Sequence, residues 1–333
     1  MKPLLAVFTV LIFSVLVSAQ WVRQSVNTTA SFRGLSVVSE KVVWASGTGG
    51  TVIRTINGGK KWDVIQVPDA ARLDFRDIEA FDANTAYILS IGNGESSRIY
   101  KTTDGGATWK LQFKNTNEKA FFDAIACWDN QNCIAMSDPV DGKFLFIRNY
   151  GGDNWETIES SAVARPGQAA FAASGTCLIT AGLNHPAFLV TGGSAAEVLF
   201  SGNNGRDWET RATPIISGSP GSGIFSIDMF DHSEGVMVGG NYEKPDEANN
   251  NLAFTTDSGK TWKIGIGLTG YRSGVAYVDK KTIIAVGTNG SDITRDGGKT
   301  WKKFGNDVLN AVAAYGEKSV WAVGSKGGVY KLK

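Results

Sequence analysis

An eight-residue pattern recurs six times and constrains the fold more than any other feature of the chain. It reads Ser/Thr-x-Asp-x-Gly-x-Thr-Trp, and a clear copy is Thr-Thr-Asp-Gly-Gly-Ala-Thr-Trp at residues 102–109. An Asp or Asn side chain at its third position can accept hydrogen bonds from backbone N–H groups of a tight turn, and Gly supplies positive φ. The octets occupy residues 55–62, 102–109, 148–155, 201–208, 255–262 and 294–301. Each is predicted to form a hairpin turn, with structural roles for Asn57, Asp104, Asn203, Asp257 and Asp296.

The octets recur at roughly 40–50 residues, the length of one four-stranded propeller blade. Short β-rich runs separated by Gly, Asn and Asp precede them, as at residues 275–278 and 282–286. A seventh unit starts at Asp307 without an octet, and residues 21–24 match the strand that follows each octet. The sequence therefore predicts an all-β fold, a seven-bladed β-propeller of four-stranded antiparallel blades. The N-terminal strand should close the last blade and so remove the open sheet edges. The fourth blade is predicted to begin at Gly167.

The N-terminus has the pattern of an export signal. Lys2 precedes an apolar run that ends in Val17-Ser18-Ala19, which is typical of a secretory signal peptide over residues 1–19. An uncleaved anchor is the alternative. Residues 20–333 are then a single propeller domain, secreted or periplasmic after cleavage near Ala19, with no other segment long and apolar enough to span a membrane.

Charge and cysteine content restrict the classes of partner and cofactor. The net charge of +1 provides no electrostatic case for nucleic acid. The chain has no metal-ligand spacing and no dinucleotide, flavin or Cys-x-x-Cys motif, so we expect neither a metal nor a cofactor. Cys127 and Cys133 flank a short turn between adjacent predicted strands. They are compatible with a disulfide in an oxidising compartment or with two buried thiols.

Candidate binding residues lie on the face opposite the octets. Loops presented by a rigid scaffold carry function more often than the scaffold itself, and the innermost strands surround the central channel. Arg33, Arg76 and Arg272 stand at the predicted starts of three innermost strands, where their guanidinium groups could bind a carboxylate at the channel mouth. Alternatively, each pairs with a neighbouring carboxylate, such as Asp77 or Asp123, and ties the blades together. The full predicted binding set is Arg33, Arg76, Asp77, Asp123, Asp138, Tyr242, Arg272 and Asp292.

The octets resemble the Asp-box, or bacterial neuraminidase repeat, which sialidases, other glycosidases and sortilin-type receptors share. Finer stretches resemble exported seven-bladed relatives of the photosystem II stability/assembly factor family. These stretches are residues 74–77, 135–144, 242–245, 251–254, 270–273 and 287–292. The resemblance implies a non-catalytic assembly factor that holds a protein client on an arginine-bearing face. The client could be an envelope or membrane protein. Members of a bacterial branch often carry an oxidoreductase label, which no motif in this chain supports.

Two other functions remain open on the sequence. A sialidase-like or other glycoside hydrolase would use the same arginines for a carboxylate-bearing carbohydrate. Its candidate catalytic groups are Asp77, Asp123, Asp138, Glu243 and Tyr271. However, the Arg-Ile-Pro segment found near the start of sialidases is missing. A purely structural propeller would instead have fully neutralised arginines and no pocket at the mouth.

Overall fold

The computed structural model describes residues 20–151, 153–181 and 186–333. The predicted signal peptide lies outside the described residues. Seven antiparallel sheets form the blades, and a 3-10 turn at Gly94–Ser96 interrupts the second. The predicted seven-bladed, all-β propeller is confirmed. In the described part of the chain, no helix has the length and apolar character needed to cross a membrane.

The first three blades each use four strands in chain order. The first described strand is β1 at Trp21–Arg23. Blade one contains β2 at Phe32–Val37, β3 at Val43–Gly47, β4 at Thr51–Thr55 and β5 at Asp63–Gln66. Blade two contains β6 at Phe75–Ala80, β7 at Ala86–Ser90, β8 at Arg98–Thr102 and β9 at Lys110–Lys114. Blade three contains β10 at Phe122–Asp129, β11 at Asn132–Val140, β12 at Lys143–Tyr150 and β13 at Trp155–Ile158.

The remaining blades follow the same scheme, with two short extra strands, β14 at Gln168–Ala169 and β17 at Gly192–Gly193, added to the sheet of blade five. Blade four contains β15 at Leu178–Thr180, β16 at Ala187–Val190, β18 at Glu197–Ser201 and β19 at Glu209–Ala212. Blade five contains β20 at Ser222–Met229, β21 at Gly235–Asn241, β22 at Leu252–Thr255 and β23 at Lys263–Ile264. Blade six contains β24 at Gly274–Tyr277, β25 at Ile283–Gly287, β26 at Gly290–Thr294 and β27 at Lys302–Gly305. Blade seven contains β28 at Ala311–Ala314, β29 at Val320–Val323 and β30 at Val329–Leu332.

The predicted start of blade four at Gly167 is wrong, because its innermost strand begins at Leu178.

The N-terminal strand closes the ring as predicted. Strand β1 pairs antiparallel with β30, with Trp21 opposite Leu332. The buried Trp21 indole also donates from Nε1 to Ser291 Oγ of blade six at 2.9 Å. The first and last strands of the described residues are therefore joined within one sheet.

The octets form the hairpin turns between the third and fourth strands of their blades. In blade two, Asp104 Oδ1 accepts a hydrogen bond from the Thr108 N–H at 2.9 Å, and Thr102 Oγ1 accepts from the Gly106 N–H at the same distance. The hydrogen bond from the Thr108 hydroxyl, followed by the one from its N–H, lowers the pKa of Asp104 to about 2. Asn57, Asn203, Asp257 and Asp296 accept equivalent backbone hydrogen bonds in their own turns. The octet residues thus hold the turn backbone.

The tryptophans that end the octets pack between neighbouring blades. Trp208 of blade four stacks on Phe146 of blade three with 4.6 Å between ring centroids. Trp62 of blade one meets Trp321 of blade seven edge to face at 5.5 Å. Such contacts place large apolar surfaces between the sheets.

Hydrogen bonds identify the two faces of the ring. In blades one, two, three, five and six, the octet turn donates to the turn between the first and second strands, as in Gly105 N–H to Asn84 O at 2.9 Å. We call this side the octet face. The innermost strands start at the opposite side, the mouth face.

Cys127 and Cys133 lie opposite each other in β10 and β11 and are joined by a disulfide, one of the two states that the sequence left open.

Candidate functional site

A segment from blade four closes the mouth end of the central channel. This plug, residues 170–176, precedes β15 and contacts the innermost strands of other blades. The Ala170 N–H donates to Asp138 Oδ1 of blade three at 2.8 Å, and Ser174 Oγ donates to the Ser273 carbonyl beside blade six at 2.7 Å. Thr176 Oγ1 lies 2.6 Å from Ser226 Oγ of blade five. The plug separates a pocket at the mouth from the channel interior.

β-Bulges aim Arg33 and Arg76 at this mouth. In blade one, Phe32 pairs with Gly47 and Gly34 with Ser46, so Arg33 is the extra residue. Arg76 has the same position in blade two. A bulge re-aims a side chain relative to the regular strand. The equivalent bulges in blades three and five carry Asp123 and Phe225.

The mouth pocket has a volume of about 330 Å³ and combines two guanidinium groups with an aromatic wall. Phe171 of the plug stacks on Phe225 at 3.9 Å between ring centroids, and Tyr271 meets Phe225 edge to face at 4.7 Å. Tyr242 stands at the rim, half exposed, with its ring 6.2 Å from that of Phe225. The pocket therefore offers cationic and apolar surfaces side by side.

The two arginines differ in how well their charge is compensated. Arg76 Nε donates to Asp74 Oδ2 at 2.8 Å, and its Nη1 reaches the Ala172 carbonyl at 3.2 Å. Arg33 donates from Nη1 to the Ala173 carbonyl at 3.0 Å, and no carboxylate of the described residues lies within ion-pair distance of it. Burial, and then the neighbouring Arg76, lower the pKa of Arg33. The pocket therefore carries excess positive charge close to apolar surface.

The alternative that the arginines pair with neighbouring carboxylates holds for Arg76 and Arg272, but their partners are Asp74 and Asp292. The named partners Asp77 and Asp123 are wrong. Asp77 is buried, and its two oxygens accept from the Ile78 and Ile125 N–H groups, both at 2.8 Å. Burial raises the pKa of Asp77 to about 7. Asp123 is also buried and accepts from the Asp138 N–H at 3.1 Å. These carboxyl groups hold backbone instead of facing the mouth pocket.

Asp123 and Asp138 form a close acidic pair that contacts the plug backbone. Burial, and then the neighbouring Asp138, raise the pKa of Asp123 well above its usual range. Burial raises the pKa of Asp138 to about 6. Neither side chain lines the mouth pocket.

Arg272 and Asp292 are placed wrongly in the predicted binding set. Gly274 of blade six pairs with Val286, and Gly34 of blade one pairs with Ser46 at the equivalent position. Arg272 lies two residues before Gly274, so its equivalent in blade one is the buried Phe32, two residues before Gly34. Arg272 is fully buried, and its Nη2 lies 2.5 Å from Asp292 Oδ2. A shift of one residue along a strand moves a side chain to the other side of the sheet. Matching Tyr271 to the aromatic residue Phe32 of blade one shifted the predicted alignment of blade six by one residue. In the structure, Ser273 is the residue equivalent to Arg33.

Sequence reasoning missed Phe171 as part of the site. It lies among small residues outside any long strand, so no alternating pattern identifies it. The longer interval between the octets ending at Trp155 and Trp208 was the available signal of an insertion before blade four.

A family model described as photosynthesis system II assembly factor YCF48 matches residues 18–270, well over half of the chain. The chain belongs to the YCF48 family. The family resemblance drawn from the sequence is thereby confirmed. No curated protein matches the chain.

Solved YCF48 structures share the propeller fold with this family member. A YCF48 bound to D1 peptide has 16% sequence identity and a TM-score of 0.66, with 93% of this chain and 94% of that chain covered. YCF48 from Cyanidioschyzon merolae has 15% identity and a TM-score of 0.69, with 93% and 98% covered. The WD40 propeller domain of Doa1 has 8% identity and a TM-score of 0.63, with 95% and 97% covered. At these identities the likeness shows the fold alone.

Proposed function

We propose that this YCF48-family protein is an exported, non-catalytic binding factor that holds a protein client at the mouth pocket. The observation that carries the proposal is the guanidinium of Arg33, which has no carboxylate partner among the described residues and lies in a pocket walled by Phe171, Phe225 and Tyr271. The YCF48 structure bound to D1 peptide supports a peptide segment as the client. The client of this chain would be an envelope or membrane protein.

The chemistry of the pocket defines the segment that it would recognise. Arg33, with Arg76 beside it, can donate charge-assisted hydrogen bonds to a carboxylate. The aromatic wall can bury an apolar side chain next to that carboxylate, and Tyr242 at the rim adds an amphipathic contact of the kind enriched at interfaces. We therefore expect an acidic residue or a chain-terminal carboxylate adjacent to a large apolar residue.

The geometry favours this function over glycoside hydrolysis. Retaining hydrolysis needs two carboxyl groups roughly 5 Å apart that face the sugar. Asp123 and Asp138 are neighbours, but each accepts a backbone N–H, and neither lines the mouth pocket. Binding of a carbohydrate in place of a protein client would therefore contradict the proposal and favour the hydrolase alternative.

A crosslinked pull-down from the native host envelope, followed by titration of the captured client segment, tests the function. We expect Arg33→Ala with Arg76→Ala to weaken binding of the segment by at least about 100-fold, because each of the two lost charge-assisted contacts contributes about 1.5–3 kcal/mol. Arg206→Ala, which removes an exposed arginine on the octet face, is the matched control. Undiminished binding by the double variant, or binding of sialosides in place of protein, would overturn the proposal.

Export is the second part of the proposal and is supported by the sequence of residues 1–19. N-terminal sequencing of the protein purified from its host should begin at Gln20. A mature protein that retains Met1 would contradict cleavage.

A further inference from the structure

A second cavity lies behind the plug, inside the channel. Its volume is about 560 Å³, larger than that of the mouth pocket. The lining extends from Ser174 and Thr176 of the plug to Asp231 and His232, which are exposed in the turn between β20 and β21. This inner cavity therefore opens on the octet face, at the opposite end from the arginines.

The inner cavity has the opposite charge to the mouth pocket. Four acidic side chains line it, and the part of the lining that the structure describes contains neither Lys nor Arg. The acidic residues are Asp77, Glu79, Asp228 and Asp231. Among the described lining residues, His232 is the one with a basic side chain. A cavity of this size, within the usual range for ligand sites, and of this charge favours a cationic occupant.

A comparison of equivalent positions on the innermost strands shows which carboxylate makes no hydrogen bond to the next blade. Each innermost strand has one edge without a partner strand, so its N–H groups need other acceptors. Ser36 Oγ of blade one accepts from the Ala80 N–H of blade two at 3.2 Å. Asp228 Oδ2 of blade five accepts from the Tyr277 N–H of blade six at 2.8 Å. These side chains connect neighbouring blades.

Glu79 occupies the equivalent position in blade two but makes no such connection. It follows the bulge residue Arg76 by three positions, as Ser36 follows Arg33 and Asp228 follows Phe225. Within the described residues its carboxyl group has neither a hydrogen bond nor an ion pair, and it lines the cavity. Glu79 is thus a partly buried carboxyl group that does not connect its blade to the next one as Ser36 and Asp228 do.

We propose that the inner cavity binds a small organic cation that carries ammonium groups, with Glu79 as its principal carboxylate. Asp228 and Asp231 lie further along the lining and can receive a second ammonium group. The described residues contain no group of three or more side chains placed to hold a metal ion, which favours an organic cation over a bare one. The site is independent of client binding, since the plug and the opposite charge separate it from the mouth pocket.

The desolvation of Glu79 supports the same occupant. Burial, and then the neighbouring Asp77, raise the pKa of Glu79 well above its usual range. Without a cation the group therefore tends to hold a proton. A bound ammonium group would stabilise the ionised form, since an opposite charge at short distance favours the charged state of a carboxyl group.

Isothermal titration calorimetry with putrescine as the probe tests the proposal. We expect one diamine per chain, at least tenfold weaker binding to Glu79→Gln, and no change in Glu317→Gln, which alters an exposed acid in the 315–319 turn. The uncharged analogue 1,4-butanediol should not bind. Absence of putrescine binding to the wild type, or equal binding to Glu79→Gln, would overturn the proposal.

A measurement on the wild-type protein covers the case in which Glu79→Gln does not fold. Putrescine affinity should increase from pH 5 to pH 8, because burial raises the pKa of Asp77 to about 7 and that of Asp228 to about 6, and also raises the pKa of Glu79, so these carboxyl groups become ionised as the pH rises. Asp231 and His232 also face the bound ligand. Binding should also release protons, which is detected as a dependence of the heat on the buffer. An affinity independent of pH would exclude carboxylates as the ligand-binding groups.

Discussion

The Nη1 atom of Arg33 donates to the Ala173 carbonyl at 3.0 Å, which joins the first blade to the plug from the fourth. The same guanidinium retains further donors for a ligand, because Arg carries five N–H groups. One side chain can therefore position the plug and bind a client. The bulge makes both contacts geometrically available, since it directs Arg33 toward the mouth and away from the regular positions of β2.

Arg33→Ala should affect binding far more than stability. The variant loses a hydrogen bond from a partly exposed side chain to a carbonyl, which contributes about 1 kcal/mol to the free energy of unfolding. Urea denaturation should show a loss of this size, while client affinity falls at least tenfold. A loss of several kcal/mol would instead identify Arg33 as a structural residue.

Arg272→Ala should have the opposite profile. Arg272 and Asp292 are both fully buried, and removal of one partner leaves an uncompensated charge. Loss of one member of a buried pair costs about 3–5 kcal/mol. The double variant Arg272→Met with Asp292→Leu should recover part of this loss, as a double-mutant cycle would show. A small effect of Arg272→Ala would mean that water or another group replaces the guanidinium.

Asp77 should make the stability of the protein fall with increasing pH. Burial raises its pKa from 3.8 to about 7. Between these values the unfolded chain loses a proton that the folded protein keeps, so raising the pH favours unfolding. The contribution is complete below about pH 4, is lost as the pH rises through 7, and amounts to at most about 4 kcal/mol. Urea denaturation across this range should give a shallower pH dependence for Asp77→Asn than for the wild type.

Asp228 provides an internal comparison for the pH experiment. Burial raises its pKa to about 6, so its contribution should be lost at a lower pH than that of Asp77. If Asp77→Asn leaves the pH dependence unchanged, the group titrates normally in the folded protein, and the assignment to burial is wrong.

The sequence predicts the ring well because each blade repeats the same local requirements. Asp104 and Asp257 recur at equivalent positions because each turn needs an acceptor for its N–H groups. The closure by β1 follows from counting strands, since an incomplete seventh blade would leave an open edge. These features depend on short-range patterns that are read directly from the chain.

The site is less predictable because it depends on departures from the repeat. Arg272 and Arg33 look alike in sequence, yet a difference of one residue in register puts one in the core and the other at the mouth. Phe171 reaches the mouth through an insertion with no periodic pattern. Unlike Ser36 and Asp228, Glu79 makes no hydrogen bond to the next blade within the described residues, and its residue type does not reveal this. Such differences are properties of three-dimensional register and not of composition.

Gly59→Ala should destabilise the ring closure, and Gly316→Ala should not do so to the same extent. Both glycines have positive φ, at 88° and 63°, so each substitution carries a backbone penalty of about 1 kcal/mol. A Cβ atom at Gly59 would also lie 2.4 Å from the Trp321 ring, whereas one at Gly316 would meet no atom within 4 Å. Overpacking of a well-packed core typically costs about a further 1–3 kcal/mol. Thermal unfolding should therefore show a clearly larger loss for Gly59→Ala, and equal losses would mean that Trp321 shifts without cost.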